Sequence, residues 1–197
     1  MSLNYTYDDL EMSERDDTTT GFVVANDIAA GRQVTSSIGY NYSYDTRRAG
    51  LDPTSGVLLQ FGQDFAGLGG DTKFVKTTAK AIGEKRIFNE EVTLRATLQG
   101  GALAWSEGNN RVSDRFLIGP SIMRGFETGG IGPRDQSNGS DDSPGGNLFV
   151  VGSLEAEFPL GLPEEYGISG GVFYDVGNVW NLDDVEIPTG SSIVGES

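Results

Sequence analysis

The sequence predicts an all-β fold, an antiparallel sheet of about seven long strands of the kind that walls a transmembrane β-barrel. Three observations carry that expectation. Apolar and polar residues alternate with a period of two over stretches of eleven and twelve residues, about twice the usual 5–6 residues of a soluble strand. One parity of each stretch is mostly aliphatic or aromatic, while the other is mostly small, glycine-rich and polar, with Phe149, Val151 and Phe173 as its apolar members. Long and short connections alternate, which gathers the long loops at one end of the sheet and tight turns at the other.

The first strand, Leu3–Leu10, is a weaker version of the pattern. The connection Glu11–Gln33 follows, with a short helix predicted at Phe22–Ala30 before Gly31. From Val34 to Asp45 one parity reads Val34, Ser36, Ile38, Tyr40, Tyr42, Tyr44 and the other Thr35, Ser37, Gly39, Asn41, Ser43, Asp45. After the connection Thr46–Ser55 come two more weak strands, Gly56–Phe65 and Thr72–Ile82, separated by Ala66–Asp71. Beyond Gly83–Glu91, Val92, Leu94, Ala96, Leu98, Gly100 and Ala102 oppose Thr93, Arg95, Thr97, Gln99 and Gly101. The connection Ser106–Gly146 is too long to be structureless in a compact domain. The last two strands put Leu148, Val150, Leu154 and Phe158 on one parity, then Ile168, Val172, Tyr174 and Val176, with Pro159–Glu165 between them and an irregular tail from Asn181. The chain reads as one domain, 1–197, with no linker.

Composition excludes several classes of chemistry. There is no cysteine and no histidine, hence no disulfide, thiolate metal site, imidazole ligand or Ser-His-Asp triad. The net charge is −15 with no basic block, a poor match to nucleic acid. No apolar run approaches the ~18 residues of a membrane-spanning helix. Met1-Ser2-Leu3 leads into Asn4-Tyr5-Thr6-Tyr7 with no signal peptide, so the expectation is a cytoplasmic chain or, preferably, a piece cut from a longer one. A soluble β-sandwich also alternates. Lys76, Lys80, Arg95, Glu155 and Asp175 lie mid-strand on the polar parity, which suits a wet lumen, and tyrosines near strand ends on the other suit an interfacial girdle.

The centre of the long connection, Phe116–Glu127, is rich in apolar residues and needs a place to be buried. A loop folded back into a barrel lumen provides one; covering a hydrophobic patch is the plainer alternative. Gly125 suits a tight bend.

These residues resemble a known family. Met123-Arg124-Gly125-Phe126 is similar to the (V/I)RG(F/Y) motif in the sixth extracellular loop of the BamA family of outer-membrane protein assembly factors, with Met123 where Val or Ile is usual. Ile131-Gly132-Pro133-Arg134 resembles the IGP element after it. Gly145-Gly146-Asn147 with Ser153-Leu154-Glu155 resembles the following strand, and Phe173–Trp180 its F-x-D-x-G-x-V-W strand. Upstream, Tyr44-Asp45-Thr46-Arg47 and Leu51–Gly56 resemble the YDxR…DPTSG strand and turn. The elements stand in family order over Tyr40–Trp180.

The resemblance implies a partial segment of a sixteen-stranded transmembrane barrel without the family's periplasmic POTRA domains, located in the outer membrane of a Gram-negative bacterium. It implies assembly and insertion of β-barrel proteins, with no enzymatic step and no cofactor. The implied partners are unfolded outer-membrane protein clients, accessory assembly lipoproteins and outer-membrane lipid, with no nucleic acid. The seam that the family offers to clients joins the first and last strands, outside this stretch. Cut alone, such a segment exposes edges and an apolar face and is expected to self-associate.

Arg124 brings a charge into an apolar loop, so burying it demands partners. Parity places Glu155 and Asp175 on the lumen face of the two strands after the loop. In the family the corresponding arginine is held by acids that map to these two residues, which implies a latch pinning the loop in the lumen.

Three other readings remain open. A two-partner secretion or translocation-assembly transporter shares the RGF-type loop. A soluble acidic β-domain could bind carbohydrate, or calcium through Asp16-Asp17, Asp141-Asp142 or Asp183-Asp184, although no D-x-D-x-D-G ladder is present. Glu155 and Glu157 share a strand face about 7 Å apart, a spacing that acid pairs of glycosidases also show.

Overall fold

The computed structural model describes residues 1–12, 20–47, 55–89, 91–108, 110–161, 168–182 and 193–194. A seven-stranded antiparallel sheet dominates. Its strands are β1 (Ser2–Leu10), β2 (Gln33–Asp45), β3 (Ser55–Ala66), β4 (Lys73–Ile87) and β5 (Val92–Glu107), followed after the long connection by β7 (Leu148–Pro159) and β8 (Ser169–Trp180). A short β6 (Arg134–Asp135) inside that connection pairs with β9 (Ile193–Val194) of the tail. The sheet is a meander in sequence order, with β1 and β8 at its two edges.

The register fixes the two faces. Ile38, Tyr42, Leu94, Leu98, Leu154 and Val172 share one face, on which all six are exposed. Asn41, Ser43, Arg95, Gln99, Glu155 and Asp175 share the other. The sheet stands open, with no second sheet packed on its apolar side among the described residues.

Two strands run further than the sequence pattern predicts. β4 continues from Ile82 to Ile87 and β5 from Ala102 to Glu107. Their continuous pairing carries both through Gly83 and Gly101, where alternation fades. Tyr166 and Gly167, expected in the last strand, lie outside the described residues, as do the turn residues Leu51–Thr54.

The core lies between the sheet's polar face and the long connection. Ile118 and Met123 of the connection pack on Phe149 and Val151 of β7 and Val179 of β8, flanked by Phe116, Ile122 and Ile131. Gly101 makes room for this cluster: a Cβ there would stand 2.6 Å from both the Phe116 and Phe149 rings. The connection therefore folds onto the lumen face as a plug.

A helix, α1 (Phe22–Ala29), fastens the top of the plug. Eight residues are too few for a helix to be stable alone, and its own N-cap, Gly21, offers no side chain. Residues of the plug supply both caps. At the N-terminus, Gly21, Phe22 and Val23 donate backbone N–H bonds to Asp142 Oδ2, Ser137 Oγ and Asp135 Oδ2 at 2.7–2.8 Å. At the C-terminus Arg111 donates to the carbonyl of Gly31 at 2.6 Å. Carboxylates thus meet the positive end of the helix dipole and a guanidinium the negative end.

Candidate functional site

Below the core the plug turns at Met123-Arg124-Gly125-Phe126. Met123 is buried in the core, Gly125 takes the turn with φ +87°, and Phe126 is exposed. Arg124 lies against the lumen face of β7 and β8. Its Nε and Nη2 donate to the two oxygens of Asp175 at 2.9 and 2.8 Å, and its backbone N–H donates to Asp175 Oδ2 at 3.0 Å. Its Nη1 donates to Glu155 Oε2. The guanidinium carbon lies 3.8 Å from the centre of the Phe173 ring, a cation–π contact.

The register explains how one arginine reaches both acids. Glu155 stands opposite Phe173, and Asp175 opposite Ser153. The carboxylates are therefore diagonal neighbours across one strand pair, and a planar fork with five donors spans them. Ser153 Oγ also donates to Asp175 Oδ1, fixing that carboxylate from behind.

The network continues along the wall. Arg95 stands directly between Glu84 and Glu155 in the register; its Nε donates to Glu84 at 3.0 Å and its Nη1 to Glu155 Oε1 at 2.6 Å. Charge then alternates through Glu84, Arg95, Glu155, Arg124 and Asp175. Three carboxylates and two guanidinium groups leave one negative charge, and Lys80 lines the same polar cavity of about 270 Å³ with Thr97, Gln99 and Ser121. Asp175 is nearly buried, its side chain 4% exposed, whereas that of Arg124 is 36% exposed. The site is thus dry on the wall side and wet on the loop side.

Sequence reasoning named Arg124, Glu155 and Asp175 and gave no role in holding the loop to Glu84, Arg95, Ser153 or Phe173. Arg95 was visible on the polar parity. Glu84 was hidden because the pattern ended β4 at Ile82, two residues short of it.

A second ionic group sits above the core. Asp27 of α1 accepts the Val112 N–H at 2.8 Å, and Arg115 bonds the side chain and backbone of Asn110. Burial raises the Asp27 carboxyl and lowers Arg115. It pushes Asp114 up to about 6 despite Lys76, Arg111 and Arg115 nearby, with Asp27 adding to the rise. Lys76 donates to the Asp114 carbonyl at 2.8 Å and lies 4.7 Å from the centre of the Phe116 ring.

The acids of the other readings are engaged elsewhere. Asp142 caps α1, Asp141 pairs with Arg134 at 3.7 Å, and Glu157 accepts from Ser169 Oγ at 2.7 Å. Asp16, Asp17, Asp183 and Asp184 lie outside the described residues. Among the described residues no group of three or more acidic side chains is placed to hold a metal ion.

Residues 1–193 match the family model of the Omp85 superfamily domain. The chain is 34% identical over 156 residues to the outer membrane protein assembly factor BamA of Neorickettsia risticii, covering 79% of this chain and 21% of that protein. It is 32% identical over 178 residues to the human sorting and assembly machinery component 50 homolog, covering 86% of this chain and 36% of that one. In solved structures, BamA from Haemophilus ducreyi lacking POTRA domains 1–3 superposes with a TM-score of 0.70 at 20% identity, covering 91% of this chain and 38% of that one. The chain thus spans about a fifth to two fifths of the length of these relatives.

Proposed function

Because the chain belongs to the Omp85 superfamily, we propose that it supplies the middle of the wall and the plugging loop of an outer-membrane assembly factor, one that folds and inserts β-barrel proteins in the outer membrane of a Gram-negative bacterium. The observation that carries this reading is the plug: a loop seated in the lumen by Arg124 on Asp175 and Glu155. One relative is named an outer membrane protein assembly factor and the other a component of a sorting and assembly machinery, which supports assembly over the transporter reading.

The proposed role of the Arg124 network is a latch. The work of such a factor is to let strand hydrogen bonds form in a membrane, where an unpaired backbone group costs several kcal/mol. A wall that deforms to admit a client needs its interior fixed, and the latch ties β7, β8 and the loop into one unit. No covalent step is involved. Clients are unfolded outer-membrane proteins, and accessory lipoproteins assist.

The test reconstitutes the complete gene product in phospholipid vesicles, adds a urea-unfolded eight-stranded outer-membrane protein, and follows folding by its heat-dependent gel shift. Faster folding than with empty vesicles is expected, slowed by Arg124→Glu and partly recovered when Asp175→Arg is added. Unchanged folding rates, with a soluble polypeptide carried across the bilayer instead, would establish the transporter reading.

A further inference from the structure

The outward face of the sheet carries a polar rung between apolar rows on β2–β4. Tyr40, Gln63 and Thr77 are direct neighbours across these strands. The Tyr40 hydroxyl donates to Gln63 Oε1 at 2.6 Å, and Gln63 Nε2 donates to Thr77 Oγ1 at 3.0 Å. This rung lies on the face opposite the plug, between apolar rows. Ile38, Phe65 and Val75 form the row above it; Tyr42, Phe61 and Ala79 form the row below. The Tyr40 ring sits 6.4 Å from Phe65 and 6.2 Å from Phe61.

Polar side chains facing hydrocarbon are costly unless bonded. Among the described residues the rung satisfies part of its own demand and leaves two hydrogens unspent, the second N–H of Gln63 and the hydroxyl hydrogen of Thr77. A partner made of acceptors alone complements it.

Height along the wall identifies that partner. Between the rung and the Ser55–Lys85 pair, the outward residues are Phe61, Leu59 and Val57 on β3 and Ala79, Ala81 and Gly83 on β4. Eight residue steps span about 27 Å along the strand, or about 20 Å along the membrane normal at a tilt of about 40°. The outward apolar band of a barrel is about 25 Å tall. The rung therefore belongs at the rim of the hydrocarbon layer and not at its middle. On the other side, the Lys73–Glu107 ion pair stands four residues above Thr77 on β4, at the level of water.

We propose that the Tyr40–Gln63–Thr77 rung docks the acyl-ester layer of the leaflet at the long-loop end. Lipid ester carbonyl oxygens, which only accept, take the Gln63 N–H and the Thr77 O–H. The rung sets the height at which this sector of the wall rides in the bilayer. This rests on the reading of the outward face as lipid-facing.

The chain has no cysteine, so, with any cysteine outside it replaced by serine, Val75→Cys and Ala79→Cys each give one labelling position while leaving the rung intact. The complete gene product, bearing a bimane at either position, is reconstituted in phosphatidylcholine vesicles whose acyl chains carry a quencher beside the ester or near the chain end. The two sites are about 10 Å apart along the normal, so the label at 75 should prefer the ester-proximal quencher by at least about twofold and the label at 79 the deep one. Adding Gln63→Leu should lower the preference at 75 about twofold, as the wall sinks by part of that depth. A deep preference at 75, or no change with Gln63→Leu, overturns the proposal. So does shielding at 75 from both quenchers while 79 remains quenched, which would mean that protein covers the rung. Silence at both positions would overturn the lipid-facing reading itself.

Discussion

Removing the charge of Asp175 should loosen the plug, and the geometry bounds the effect. Asp175 accepts three hydrogen bonds from Arg124 and one from Ser153, with its side chain 4% exposed. Breaking a buried ion pair by removing one partner costs about 3–5 kcal/mol. Arg124 is 36% exposed, and in Asp175→Asn it keeps Glu155, so solvent and the second acid return part of that. A coupling of about 2 kcal/mol remains, a factor of about 30 in the opening equilibrium. The assay is native-state amide hydrogen exchange of the plug in the complete gene product. The informative amides are Met123, which donates to the Gly119 carbonyl, and Gly129, which donates to that of Ile118. Arg124→Gln and Asp175→Asn should each speed their exchange about 30-fold, and the double variant should be scarcely worse than either. Glu155 keeps Arg95 in all three, while in Arg124→Gln the Asp175 carboxylate is left with the backbone N–H of residue 124 and Ser153 Oγ. Additive effects in the double variant, or unchanged protection in the singles, would refute a coupled latch.

Three further outcomes follow from the same contacts. Arg95→Met should speed plug exchange less than Arg124→Gln does, by about 1 kcal/mol or fivefold, because both of its acids, Glu84 and Glu155, are partly solvated whereas Asp175 is nearly buried; equal effects would make Arg95 the principal anchor. Gly101→Val should unseat Phe116 and Phe149, costing about 1–3 kcal/mol as in overpacked cores, and a denaturant midpoint equal to the parent's would show that the rings give way freely. The plug should also respond to pH through Asp114. A carboxyl raised from 3.8 to about 6 by burial contributes most below its unfolded value, and that contribution is lost as pH rises from about 4 to about 6, by at most about 3 kcal/mol. Asp114→Asn should flatten this dependence in hydrogen exchange of Phe116, which donates to the Gly146 carbonyl; an unchanged profile would assign the dependence to another group.

The wall was legible in the sequence because a strand's side chains alternate by a fixed period of two. Val34–Asp45 or Val92–Ala102 therefore declares its two faces without reference to any partner. The family motif made Arg124, Glu155 and Asp175 legible, and parity put both acids on the face where a lumen loop could meet them. The ends of β4 and β5 were not legible, because glycines at 83 and 101 interrupt the pattern while pairing with neighbouring strands continues through them. That hid Glu84, and with it the ladder through Arg95. Phe149 and Val151 stood on the polar parity with nothing local to account for them; only the plug, arriving from residues 118 and 123, buries them. The caps of α1 likewise come from 80 or more residues away. Alternation is a local property of the backbone, so the sequence by itself determined strands and faces. Register, the closing of the plug and the sharing of one guanidinium between two carboxylates depend on which distant groups arrive at the same place, and only the tertiary structure decided them.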